Sequence, residues 1–328
     1  METRAVRLDI GGICVRITSP HSEILAHVHE RYSNFLSDGT PRFDFVMALE
    51  HRVDPAEFLD VPTGMLRAFM RNRTARKKAE NGPAHLAPSS GCDRPRVSPL
   101  VEDRLASKPQ VTVVGGKSLF QRSDLAGWIN VEAGMGKCVL KKYMENIAVE
   151  SFLRICYSFL AVKHDGLLLH SAGIVRGGNG YIFPGVSGTG KSTIAGLATS
   201  RERVLSDELV MIRGKENNYW VYSTPFFGTN KSAENNSHAP LKAAFLPIKD
   251  SRVCLKKARP AQALTGLLSS VLFFSREDEL NERLMDISAG LVARIPFYEM
   301  YFRRDASFWE CIGTLEQNGG IGCFLPIK

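Results

Sequence analysis

Eight consecutive residues, Gly185, Val186, Ser187, Gly188, Thr189, Gly190, Lys191 and Ser192, satisfy the pattern G-x-x-x-x-G-K-[ST], and Thr193 follows them. Glycines at this spacing let the backbone curl until successive N–H groups face one anion. Lys191 can reach outer phosphates, and Ser192 can offer a hydroxyl to Mg²⁺. About sixteen residues beyond Lys191 stand two adjacent carboxylates, Asp207 and Glu208. Phosphoryl transfer needs a carboxylate for its metal and, with a hydroxyl acceptor, a base beside it. A solvated surface pair is the plainer explanation of an Asp-Glu dipeptide. Leu205 before it and Leu209, Val210 and Met211 after it weigh against that.

The elements around these residues suit the chemistry. Tyr181, Ile182 and Phe183 read as a short buried strand, and 192–198 as a helix whose N-terminus adds a positive dipole end. Residues 166–175 form an earlier strand that turns at 176–180, so a hairpin feeds the glycine-rich loop. The common doubly wound architecture surrounds such a loop with parallel strands instead, so a mixed sheet is expected. Residues 203–212 read as the next strand. Asp207 and Glu208 would face opposite sides of an ideal strand, so a bulge or strand end must turn one inward if both serve one site. Further strands are expected at 220–222, 243–248 and 296–302, and helices at 261–274, 277–293 and 308–315.

Upstream, residues 5–17 alternate around Gly11 and Gly12 as a hairpin, 21–36 has near-helical apolar spacing, and 43–49 reads as a strand. His21, His27 and His29 lie on that helix without a cysteine or carboxylate to complete a ligand set, which favours solvated positions over a metal site. Strands at 111–114, 128–131 and 137–140 precede a strongly apolar helix at 145–163. The expected organisation is a small N-terminal α+β domain at 1–140 and a nucleotide-binding domain at 141–328. Between Arg67 and Lys108, ten Lys/Arg stand against four Asp/Glu, so this stretch carries +6 of the net +8. Its prolines interrupt regular structure, and 76–110 reads as a mobile basic insertion. It lacks interleaved aromatics, which favours a solvated charged face over a nucleic-acid arm.

No run approaches the ~18 apolar residues of a membrane span. Met1 to Arg4 lead into strand-like alternation and not into an apolar signal core. The seven cysteines lie far apart without a C-x-x-C pair. These features set the expectation of a cytoplasmic protein with structural thiols and no membrane partner.

From about Gly166 onward the chain resembles the HPr kinase/phosphorylase family and its small homologues, within the phosphoenolpyruvate-carboxykinase-like fold. The resemblance rests on three segments: 169–173 (Leu-His-Ser-Ala-Gly), with His170 fifteen residues before Gly185; 185–193; and 205–208 (Leu-Ser-Asp-Glu). It covers roughly half of the chain. Similar homologues include peptide-tailoring serine kinases of lasso-peptide clusters, free-serine kinases and a kinase-like protein of the SynChlorMet peptide cassette. The resemblance implies an α/β (α+β) chain whose C-terminal carboxykinase-like domain has a mixed sheet, with ATP and Mg²⁺ as cofactors. It implies that Lys191 handles phosphate, Ser192 and Glu208 serve the metal with Asp207 beside them, Asp207 acts as base, and His170 assists near the transferred phosphate. A lone histidine on an apolar strand is otherwise a satisfied core group, so that last role comes from the resemblance alone. The family usually carries two aspartates where this chain has Asp207 and Glu208. No counterpart of the HPr enzymes' glycine-rich E-[IV]-R-G segment is present, which argues against HPr as acceptor and against the reverse reaction. The expectation is an ATP-dependent kinase acting on a hydroxyl, foremost a serine, of a small protein, peptide or metabolite. A homo-oligomer is compatible with it. The rival readings are a non-catalytic ATP-binding module and a phosphohydrolase or phosphorylase.

Overall fold

In a computed structural model, residues 5–50, 109–142, 145–216, 218–226, 228 and 236–317 are described. The basic segment expected at 76–110 therefore lies outside the described residues, apart from its last two. The chain is mixed α/β, with two mixed sheets and six described α-helices.

The first sheet has seven strands in the order β1-β2-β3-β7-β6-β5-β4. Strands β1 (Ala5–Ile10) and β2 (Ile13–Thr18) close on Gly11 and Gly12, whose positive φ values of 63° and 75° permit the two-residue turn. Helix α1 (Ser22–Arg31) gives way to a 3₁₀ turn at Ser33–Phe35, so the helical stretch is shorter than its apolar spacing suggests. Strand β3 (Phe43–Glu50) runs parallel to both β2 and β7 (Met135–Lys141). Strands β4 (Gln110–Val114), β5 (Lys117–Gln121) and β6 (Leu125–Asn130) complete the sheet as an antiparallel meander. Strand β5 is an element that sequence periodicity misses.

Helix α2 (Glu145–Lys163) is apolar nearly all round, as a helix without a solvent face must be. It packs against β6 and β7 of the first sheet and against β8 and β11 of the second. Phe152 meets Phe45 edge-on at 5.2 Å, and the Tyr157 hydroxyl donates to the carbonyls of Leu8 and Ile13 at 3.3 and 3.1 Å. One hydrophobic cluster consequently runs from the first hairpin through α2 into the second sheet.

The second sheet is built on β8 (Gly166–Arg176). Along one edge of β8 lie β10 (Glu202–Ser206) and then β11 (Leu209–Lys215); along the other, its C-terminal half pairs with β9 (Asn179–Pro184). Strand β12 (Asn218–Tyr222) connects β11 to the long β13 (His238–Lys249). Strand β13 runs parallel to both β9 and β15 (Phe297–Phe302), and β14 (Cys254–Lys257) closes the order. Helices α4 (Pro260–Leu268) and α5 (Asp278–Arg294) pack together. The first ends earlier than its apolar run, because Val271 leaves the helix to bridge Leu169 of β8. A second cluster, including Phe183, Phe245, Phe302, Phe308 and Trp309, joins β9, β13 and β15 to α6 (Phe308–Gln317). No described helix is long and apolar enough to cross a membrane. The five described cysteines are free thiols.

Candidate functional site

The glycine-rich loop starts where β9 parts from β8, and the Gly185 N–H still donates to the His170 carbonyl at 3.1 Å. The Thr189 N–H and hydroxyl both turn back to the Val186 carbonyl, at 3.3 and 2.9 Å. Gly190 adopts φ 107°, a region closed to side chains, and a Cβ there would sit 2.6 Å from the Phe302 ring. Helix α3 (Lys191–Gly196) begins at the next residue. It is short, but Ile194 and Ala195 are buried in the cluster behind β9, which pins it. The Lys191 ammonium donates to the carbonyls of Gly185 and Val186 at 2.7 and 2.9 Å. Burial pushes its pKa below the ordinary lysine value, while Glu208 and Asp207 oppose that shift.

The strand expected at 203–212 is two strands, and the break falls at the carboxylates. Pairing with β8 slips between Val204 and Ser206. The Ser206 hydroxyl accepts the N–H groups of Glu208 and Leu209, both at 3.2 Å, and the Ser171 N–H caps the Glu208 carbonyl at 2.9 Å. This irregularity removes the alternation that would have sent the two side chains to opposite faces, and both line one cavity. Asp207 is 1% exposed, and its Oδ1 accepts the Gly228 N–H at 2.8 Å. A Cβ on Gly228 would stand 3.0 Å from Glu208 Oε2 and 3.4 Å from Asp207 Oδ2, so the two carboxylates converge beside a position kept bare of side chain.

Glu208 has a partner that sequence reasoning misses. Its Oε1 accepts from Arg154 Nη1 of α2 at 2.8 Å. Arg154 Nη2 donates to Glu150 at 2.6 Å, and Glu150 also meets Arg31 of α1 at 3.4 Å. Burial disfavours the Arg154 charge, but Glu208 and Glu150 outweigh it and raise the guanidinium pKa. Arg154 looks like an ordinary polar position on an apolar helix, and no local motif marks it.

The cavity has a volume of about 750 Å³. His170, Lys191, Ser192, Thr193, Asp207 and Glu208 all line it, together with the loop residues Val186, Ser187, Gly188 and Gly190. Gly185 and Thr189 shape the loop without lining the cavity. Lys249, Ser269 and Gly228 also contribute, and none of these three stands out in the sequence. The imidazole of His170 is held below the usual histidine value by burial, with Glu208 opposing and the Arg154 and Lys191 charges reinforcing. It is therefore neutral at neutral pH.

These residues fit Mg²⁺. No group of three or more metal-ligating His, Cys, Asp or Glu side chains forms among the described residues. Mg²⁺ does not require one, since it is commonly held by one or two carboxylates with substrate phosphates and water. Asp207, Glu208 and the Ser192 hydroxyl border one cavity in that proportion. The arrangement is suited to binding an anion at the loop, a cation at the carboxylates and a polar group between them.

Fold and site together define a mixed α/β protein whose glycine-rich loop and paired carboxylates share one cavity. The family model described as SynChlorMet cassette protein ScmC matches residues 137–316, more than half of the chain and the whole of this site. The chain belongs to that family. No curated protein matches it.

Proposed function

We propose that the protein is an ATP-dependent kinase of HPr kinase-like type, which transfers the γ-phosphate to a hydroxyl, foremost a serine, of a small protein, peptide or metabolite. One observation carries this reading: Asp207, almost fully buried, lines the same cavity as Lys191 and the glycine-rich loop. The resemblance to kinase-like proteins of peptide-tailoring clusters favours a peptide as the acceptor. In this reading the loop N–H groups and Lys191 hold the phosphates, so Lys191 exchanges its two carbonyl partners for phosphate oxygens. Asp207 takes the proton of the acceptor hydroxyl as its oxygen bonds the γ-phosphorus, and the bond to the β,γ-bridging oxygen breaks to release ADP. His170, which lines the same cavity, can donate a hydrogen bond to the transferred group. When bound, Mg²⁺ supplies charge neutralisation across the phosphates, and Ser192, Glu208 and Asp207 are the residues that would hold it.

A second reading is favoured by a specific contact. Arg154 already neutralises Glu208, and a carboxylate committed to an arginine is a weaker metal ligand, as a non-catalytic nucleotide-binding module would tolerate. Incubation with γ-labelled ATP and candidate peptides separates the two. The kinase yields a labelled acceptor, whereas the module binds MgATP and yields none. Free labelled phosphate without an acceptor product would instead indicate a hydrolase.

A further inference from the structure

A second cavity, of about 440 Å³, adjoins the first and shares Thr193 and Lys249 with it. It does not touch His170, Asp207 or Glu208. Three parallel strands converge on this region. Strand β9 ends in the glycine-rich loop, β13 ends at Lys249 and β15 ends at Phe302. Ligands of α/β sheets bind beyond such carboxyl ends. The second cavity lies between the end of β13, with Asp250 and Ser251, and the end of β15, with Arg303 and Arg304.

The charges here are unevenly satisfied. Asp250 is engaged by the Arg252 backbone N–H at 2.9 Å and by its guanidinium at 3.1 and 3.2 Å, and Arg303 pairs with Asp305. Lys249 and Arg304 have no such partner among the described residues. Two cations without an ion-pair partner among the described residues thus stand at the junction and in the second cavity.

We infer that this second cavity holds the nucleoside of the triphosphate whose phosphates occupy the glycine-rich loop. The inference rests on the proposed kinase reading and deepens it. The group to be transferred must face Asp207, so the remaining phosphates run away from the carboxylates, past Ser192 and Thr193. The donor's far end then emerges beside Thr193, where the second cavity opens. The acceptor must approach from the Asp207 and His170 side, which this cavity does not reach. Its volume lies within the ~300–1,000 Å³ of small-molecule sites. Lys249 borders both cavities, where it would meet the phosphate nearest the ribose, and the planar guanidinium of Arg304 is suited to stack on a base.

The test compares MgATP with Mg-tripolyphosphate, which has the phosphates but no nucleoside, by calorimetry on wild type and Arg304→Ala. Arg304 is exposed, so its truncation leaves the core intact. Wild type should bind MgATP about tenfold or more tightly than tripolyphosphate, the scale of one good stacking contact. Arg304→Ala should remove most of that preference while leaving tripolyphosphate affinity unchanged. Equal affinity of wild type for both ligands would overturn the inference while leaving the loop intact as a phosphate site. So would an Arg304→Ala variant that weakens both ligands alike, or one that keeps the full preference for MgATP. Folded wild type that binds neither ligand would overturn the phosphate-loop reading itself, and this inference with it.

Discussion

At the scale of single residues, the proposed function divides the work between groups that line the cavity and groups that aim them. Asp207→Asn keeps size and hydrogen bonding but removes the proposed base. Single-turnover transfer to the acceptor should fall by roughly 10²–10⁴ with ATP affinity retained, and wild-type transfer by this variant would exclude Asp207 as base. Lys191→Ala should lose most ATP affinity in calorimetry while its circular dichroism stays native, because the loop loses its one cationic side chain. Gly228→Ala places a methyl 3.0 Å from Glu208 Oε2. Mg²⁺ affinity should drop while Tm barely moves, and an unchanged Mg²⁺ titration would separate Gly228 from the cation site. His170 has a thermodynamic signature of its own. Its folded pKa is depressed, chiefly by burial, below the ordinary 6.5. The folded state thus binds this proton less well than the unfolded chain. That stability is fully present above the unfolded value and is lost as pH falls through the folded one. Cooling of the pH dependence is measurable: between about pH 7 and about pH 5, Tm should fall less in His170→Gln than in wild type. His164, also depressed mainly by burial, leaves a residual slope in both proteins.

At the scale of elements, the sequence makes the glycine-rich loop, the feeding hairpin and the carboxylate strand legible because each is a local pattern. Glycine spacing, alternation and an apolar flank survive without tertiary context. The interruption at Ser206 is foreseeable as a requirement, since Asp207 and Glu208 cannot share a face of a regular strand. Its mechanism is not, because it depends on one serine hydroxyl accepting two backbone N–H groups. Strand β14 escapes notice because it is short and pairs with β15, about forty residues further on. Strand β5 pairs with its chain neighbours β4 and β6, but its Lys-Ser-Leu-Phe-Gln sequence lacks polar–apolar alternation. Arg154, Gly228 and Lys249 escape for a different reason: each becomes functional only when a distant element is brought beside the loop. Gly190 shows an element depending on one residue. Gly190→Ala combines a left-handed φ with a clash on Phe302, and should cost about 1–3 kcal/mol in denaturant unfolding. A loss confined to nucleotide affinity, with stability intact, would show that the loop relaxes independently of the core behind it.

At the scale of the whole molecule, the two sheets are welded by α2. The sequence suggests two domains divided near residue 140, yet one apolar cluster extends across that boundary. Phe152→Ala should destabilise by about 3–5 kcal/mol, as loss of a buried aromatic does, and wild-type calorimetry should show a single transition. Two resolved transitions, with Phe152→Ala shifting only one, would mean that the sheets fold separately. The ion pairs running from the cavity through α2 to α1 have a further consequence. Glu208, Arg154, Glu150 and Arg31 form a line of alternating charge from the cavity to α1. A cation that claims Glu208 must share it with Arg154, and Arg154 then leans harder on Glu150. Glu150→Gln, which touches no ligand, should therefore alter Mg²⁺ affinity, and a double-mutant cycle with Glu208→Gln should show the two changes to be non-additive. Because linkage is reciprocal, whatever presses on α1 changes cation affinity by the same factor by which the cation changes affinity for whatever presses there. The chain thus has a built-in balance beam, with the proposed cation site on one arm and α1 on the other.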